Sequence, residues 1–142
     1  GPLFHFNPDD EKNVQDACLE LINSNIVLSA HDLSDGGLAV SLAEMVVSSK
    51  KNLGLSIHYE SKISDTELLF GECSSTIIVT LKQSKLIDLE LIAKKYNVHC
   101  QTIGSVTNNS KLKINDLIDL DKNILKDKYF NSLSNIMKSD NV

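Results

Sequence analysis

Apolar residues recur along this chain with two periods, near 3.6 and near 2 residues, and the alternation of the two divides it into helices and strands. Val14, Cys18, Leu21 and Ile22 place an apolar stripe on a helix over about 11–23, with Asp9 or Asp10 in position to cap it. Residues 26–30 read as a short buried strand. The turn Asp32-Leu33-Ser34-Asp35-Gly36-Gly37 follows, and then Leu38, Leu42, Met45 and Val46 recur at helical spacing to about Ser49. Leu53, Leu55 and Ile57 alternate with small or polar residues, the pattern of a half-buried strand, and a helical turn over 66–70 should end at Gly71. Residues 75–81 hold the run Ile77-Ile78-Val79, which predicts a central strand covered on both faces. Leu86, Leu89, Ile92 and Ala93 mark a helix over 85–96 with Asn97 as its stop. Residues 100–106 read as a strand, 112–114 as an edge hairpin strand after the turn Asn108-Asn109-Ser110, and 122–137 as a closing helix with Ile124, Leu125, Tyr129, Leu133 and Ile136 on one face. Strands separated by helices at this spacing predict an α/β domain with one mixed or parallel-rich sheet covered by helices.

Length and composition narrow this picture. A chain of 142 residues has room for a single domain, 1–142, with one core burying roughly two-thirds of its unfolded surface. Hydrophobic residues at 42% and charged residues at 23% lie near the averages of globular proteins and do not suggest disorder, and no apolar run approaches the length of a membrane span. All 14 basic residues are lysine and the net charge is −5, which disfavours nucleic acid as a partner. Cys18, Cys73 and Cys100 are odd in number and widely spaced, so the expected compartment is a reducing cytoplasm. The opening Gly1-Pro2-Leu3, without methionine, points to a piece of something larger.

One segment can carry chemistry. Ala30-His31-Asp32-Leu33-Ser34-Asp35-Gly36-Gly37-Leu38 joins a strand end to a helix start, where ligands of open sheets gather. Unpaired amides at the helix start attract an anion such as phosphate, and two glycines permit its close approach. Asp32 and Asp35 would repel a bare phosphate, a conflict that magnesium removes by taking hard oxygen ligands from both sides. The competing reading is purely local: Ser34 or Asp35 caps the helix, stabilising it by ~1 kcal/mol. Phe70-Gly71-Glu72-Cys73-Ser74-Ser75 adds a carboxylate, a thiol and two hydroxyls, either as a second wall of the same site or as a polar turn. His31 is a candidate base or a structural histidine, and His5, His58 and His99 share no metal-ligand spacing.

The run Ser29-Ala30-His31-Asp32-Leu33-Ser34-Asp35-Gly36-Gly37-Leu38-Ala39-Val40, followed by Leu42-Ala43-Glu44, resembles the signature opening the final carboxyl-terminal domain of phosphoribosylformylglycinamidine synthases. Leu69-Phe70-Gly71-Glu72-Cys73-Ser74-Ser75-Thr76 resembles that family's second block, and Ile103-Gly104-Ser105-Val106 a later strand. The resemblance implies a three-layer α/β/α domain, partly ferredoxin-like, of the kind shared with aminoimidazole ribonucleotide synthetase. It also implies a parent enzyme that uses ATP and magnesium to join glutamine-derived ammonia to formylglycinamide ribonucleotide in purine synthesis. The implied partners are the remaining synthase domains and a glutaminase domain or subunit. On this resemblance Asp32 is the metal residue, and Asp32, Ser34, Asp35, Gly36, Gly37, Glu72 and Ser74 form the phosphate or nucleotide corner. No residue of the isolated domain is assigned a catalytic role, and the domain alone is expected to be inactive. The spelling matches the second of two pseudosymmetric domain pairs, so these residues line an auxiliary nucleotide site or support the fold. The second block departs from its usual pattern, with Cys73 and Ser74 where Ser and Gln are usual and Thr76 where Arg is usual. An alternative from another class is an interaction module whose apolar surface packs on the rest of the parent or forms a homodimer.

Overall fold

A computed structural model describes residues 7–60 and 62–139, the side chains of residues 133, 138 and 139 excepted. The expectations placed on Gly1-Pro2-Leu3, His5 and the side chain of Leu133 lie outside the described residues. The elements run α1 (Pro8–Asn23), β1 (Val27–Asp32), α2 (Gly37–Ser48), β2 (Gly54–Ile57), α3 (Asp65–Phe70), β3 (Ile77–Leu81), α4 (Leu86–Lys95), β4 (Gly104–Thr107), β5 (Lys111–Ile114), β6 (Ile118–Asp121) and α5 (Lys122–Ser139). They form two compact units, one from the chain up to Ser41 with Ile63–Thr102, the other from Leu42–Lys62 with the chain from Ile103 onward. Parallel and antiparallel pairings with helices between them make the mixed α/β class expected, although the strands divide between two sheets rather than sharing one.

In the first unit, α1 starts earlier than the aspartates suggested. Asn7 is the cap, its side chain accepting the Asp9 amide at 3.1 Å, because Pro8 supplies a preset φ and has no N–H to leave unpaired. Asp9, Asp10 and Glu11 instead fill the first turn, where their charge complements the helix dipole. Leu21, Ile26 and Leu89 form a buried cluster, with Val27, Val79, Leu81 and Ile92 packed against it, so α1 and α4 share one face of the β1–β3 ribbon. Ile22 is 47% exposed, and Ala17 takes the buried position expected for it. Tyr96 at the end of α4 donates to Glu20 of α1 at 2.7 Å, and Lys95 pairs with the same carboxylate. Asn97 ends α4 in the left-handed region at φ 55, as its position suggested.

β1 and β3 run antiparallel, with Ala30 opposite Val79 and Asp32 opposite Ile77. β3 is not a central strand: among the described residues it pairs only with β1, and all five of its residues are half-buried. Three consecutive aliphatics therefore share their burial between the ribbon's two faces instead of being covered on both. β1 is also less buried than expected, with Leu28 67% exposed, and it runs on through His31 and Asp32.

The second unit has the strand order β4-β2-β5-β6, with β2 and β5 parallel and the outer pairs antiparallel. Leu55, Ile57, Leu112 and Ile114 point inward, the last two almost fully buried. The strand expected at the edge, β5, lies inside the sheet because β6, a short strand with aspartate at alternate positions, pairs along its far side. β4 is shorter than the expected strand, with ladder pairing starting at Gly104, where a side chain would meet the Ser56 carbonyl at 2.3 Å. Lys122, at the start of α5, is buried and donates to the Ser49 and Lys51 carbonyls at 2.7 and 2.8 Å. Burial holds its ammonium below the usual lysine range, with the nearby Lys126 charge adding to the shift. Among the described side chains the expected apolar face of α5 is largely open: Ile124, Tyr129 and Ile136 are more than half exposed, and Leu125 is half-buried. Among the described residues no helix is long and apolar enough to cross a membrane.

Candidate functional site

The segment after β1 and the segment before β3 meet because their strands pair. Beyond the last rung, Asp32 opposite Ile77, the Leu33 amide donates to the Thr76 carbonyl at 3.0 Å, so both loops leave the ribbon from one end. Between them lies an open groove of about 330 Å³ lined by Leu33, Ser34, Asp35, Glu72, Cys73 and Ser74. A second groove of about 560 Å³ adjoins it, sharing Leu33, Cys73 and Ser74 and adding Asp32, Ser75, Thr76 and Ile77 with Glu11, Val14 and Gln15 of α1. The two sequence blocks are thus walls of one depression. Asp32, Ser34, Asp35, Glu72 and Ser74 all stand in it, exposed.

Gly36 and Gly37 do not face the groove as simply. Both have positive φ, 84° and 68°, which accounts for glycine at these positions. A side chain on Gly37 would lie 2.8 Å from the Gly71 carbonyl oxygen and 2.8 Å from the Phe70 carbonyl carbon. The close approach this glycine permits is therefore to the protein's own second loop. Its amide is also engaged, donating to the Ser34 carbonyl at 3.1 Å, and the residue is buried. An anion is denied that amide. Gly36 is half-buried, and a side chain there would strike Val40. The capping alternative is not realised through side chains: among the described residues neither the Ser34 hydroxyl nor the Asp35 carboxylate makes a hydrogen bond.

Asp32 ends β1 with its side chain 74% exposed, while its carbonyl is held at 2.7 Å by His31 Nδ1 and at 3.3 Å by the buried Ser41 hydroxyl. A carbonyl can only accept, so His31 Nδ1 carries the proton, which leaves that nitrogen unable to act as a base toward the groove. Among the described residues no lysine lines either groove, whereas Asp32, Asp35, Glu72 and Glu11 do. The charge of this surface is therefore unfavourable to a bare phosphate. Among the described residues no three His, Cys, Asp or Glu side chains converge closely enough to hold a metal by themselves. The donors are hard carboxylate and hydroxyl oxygens, which suit a magnesium ion that keeps waters and takes further ligands from a phosphate, not a closed protein cage.

Glu11 is the participant that spacing did not expose. Its Oε2 accepts the Ser75 hydroxyl at 2.6 Å and its Oε1 the Gln15 side-chain amide at 2.7 Å. The Ser75 hydroxyl, then Gln15, hold its carboxyl below the usual range. Glu11 reads in sequence as a first-turn acid, and nothing local announces a partner 64 positions away.

Comparison with known proteins bears on the family and the fold. The family described as AIR synthase related protein, C-terminal domain, matches residues 6–116. The PurL subunit of phosphoribosylformylglycinamidine synthase from Alkaliphilus metalliredigens is 33% identical over 116 residues, covering 81% of this chain and 15% of that protein. The PurL subunit from Pyrococcus horikoshii is 37% identical over 134 residues, covering 92% of this chain and 18% of its own length. Among solved structures, Thermotoga maritima PurL complexed with ADP superposes with a TM-score of 0.72 at 24% identity, covering 85% of this chain and 22% of that one. The chain spans less than a fifth of the length of these curated relatives.

Proposed function

Because the chain belongs to the AIR synthase related family as its C-terminal domain, we propose that it serves as that domain of a phosphoribosylformylglycinamidine synthase. The parent is a cytoplasmic, ATP-dependent ligase that makes the amidine of formylglycinamide ribonucleotide from glutamine-derived ammonia. The remaining synthase domains and a glutaminase domain or subunit are its partners. The observation that carries the reading is the meeting of the two family blocks in one groove at the end of the β1–β3 ribbon.

In this reading the groove takes the phosphate end of a nucleotide together with magnesium. Asp32 is the metal residue, Asp35 and Glu72 add negative charge around the ion, and the Ser34 and Ser74 hydroxyls are free to donate to phosphate oxygens. Gly36 and Gly37 shape the turn. The ion supplies the positive charge that lets carboxylates and phosphate share the space. In this reading the ATP-using chemistry needs the other synthase domains, so the isolated chain binds and does not turn over. Calorimetry with magnesium-ADP tests this: heat is expected that disappears in Asp32→Ala, with no ATP hydrolysis by the purified chain. ATP turnover with formylglycinamide ribonucleotide and ammonia would overturn the incomplete-domain reading.

A second reading is favoured by the exposed aliphatic and aromatic side chains. Leu28, Ile87, Leu91, Phe130 and Met137 are each more than 60% exposed. On that reading the chain is an interaction module that packs on its parent or on a copy of itself. Concentration-dependent dimerisation without nucleotide heat would favour it over the first.

A further inference from the structure

Ser75 sits at the joint between the Glu72-Cys73-Ser74 wall and β3, with φ 56, in the left-handed region that serine seldom occupies without a local partner. Its hydroxyl reaches across to α1 and donates to Glu11 at 2.6 Å, and the other Glu11 oxygen is fixed by Gln15 one helical turn on. Helix α1 is in turn anchored in the core through Ala17 and Leu21. The next carbonyl along the chain, that of Thr76, accepts the Leu33 amide of the opposite wall. A continuous chain of bonds thus runs from α1 through Ser75 and Thr76 to the Asp32–Asp35 wall, and among the described residues Glu11 is the side chain whose hydrogen bond ties the outer wall to the helix along it. The lowered pKa of Glu11 agrees with a carboxylate kept ionised for this bond.

We infer that Glu11 is a positioning residue for the groove: through Ser75 it fixes the Glu72-Cys73-Ser74 wall at the distance from Asp32 and Asp35 at which one ligand meets both. The inference rests on the reading that the groove takes a magnesium-bound phosphate, but its structural half stands apart from that. Glu11 touches no ligand in this account; it acts by holding Ser75.

The test uses the whole chain with Glu11→Ala, Glu11→Gln, Ser75→Gly and the double variant Glu11→Ala/Ser75→Gly. Glycine at position 75 keeps the backbone conformation free of cost while removing the hydroxyl, and glutamine at position 11 keeps an acceptor without the charge. Amide hydrogen exchange of the unliganded chain should speed up by ~10-fold at residues 72–76 in Glu11→Ala and Ser75→Gly, with no change across α4. The double variant should be no faster than either single one, and Glu11→Gln should recover most of the protection. Unchanged exchange at 72–76 in all variants, or an equal increase across α4, overturns the inference whatever the ligand does. If the unmodified chain binds magnesium-ADP, the same two variants should weaken it ~10-fold and Glu11→Gln by less. Equal affinity in Glu11→Ala overturns the positioning role, whereas absence of nucleotide binding by the unmodified chain alongside the exchange change overturns only the identity of the ligand.

Discussion

The β1–β3 ribbon and the β4-β2-β5-β6 sheet are made of strands of similar length, four to six residues, yet they use their side chains in opposite ways. In the two central strands of the four-stranded sheet, β2 and β5, the inward positions are close to fully buried, Leu112 at 1% and Ile114 at 0%, and exposed serine and lysine alternate with them. In the ribbon every residue of β3 is half-buried, and β1 exposes Leu28 and Ala30. A closed core tolerates little change, while a two-stranded ribbon holding two loops together at its end can leave those loops open to a ligand. The most deeply buried strand positions lie in the sheet, and the candidate chemistry lies at the open end of the ribbon.

The sharpest way to break that contrast is a matched pair of truncations. Ile114→Ala should lower unfolding stability by about 3–4 kcal/mol and Ile78→Ala by about 1 kcal/mol, read by denaturant titration. Equal losses would mean that the ribbon is as tightly packed as the sheet. Gly37→Ala comes next, at about 2 kcal/mol, since it must adopt φ 68 and meets backbone atoms of Phe70 and Gly71 below 3 Å. It should also loosen the groove, measurable as faster amide exchange at Gly71. The smallest expected effect is electrostatic. Lys95, then Tyr96, hold the Glu20 carboxyl below the usual range, so this tie between α1 and α4 contributes above the ordinary carboxylate range and is lost as the pH falls below about 4. Glu20→Gln should flatten the fall of melting temperature between about pH 5 and 3; an unchanged slope would remove that tie from the first unit's stability.

Much of this contrast was legible in the chain, and the gaps have physical causes. The helices α1, α2 and α4 announced themselves through their apolar spacing, and Gly71 and Asn97 marked two helix ends. The alternation of Leu55 and Ile57 gave a strand with its true inward face. Ile77-Ile78-Val79 misled because a run of aliphatics reports total burial, not whether it comes from two covered faces or from two half-covered ones. Ile118-Asp119-Leu120-Asp121 alternates as a strand does, but it is only four residues long and half aspartate, a residue depleted in strands, and its absence from the reading turned β5 into an edge. For the groove, Asp32, Ser34, Asp35, Glu72 and Ser74 could be nominated from motifs, but their meeting depends on the pairing of β1 with β3, which no local pattern encodes. Gly37 was misjudged in its neighbour, and Glu11 was missed, for the same reason: each has its decisive contact with a segment far along the chain.

The most direct measurement is diffraction from crystals of the chain soaked with manganese and ADP, the manganese standing in for magnesium and located by its anomalous signal. The account predicts one metal peak at coordinating distance from the Asp32 carboxylate, with nucleotide phosphate density between residues 33–35 and 72–74. Metal and nucleotide found elsewhere, or a groove that stays filled with water at saturating concentrations, would contradict it.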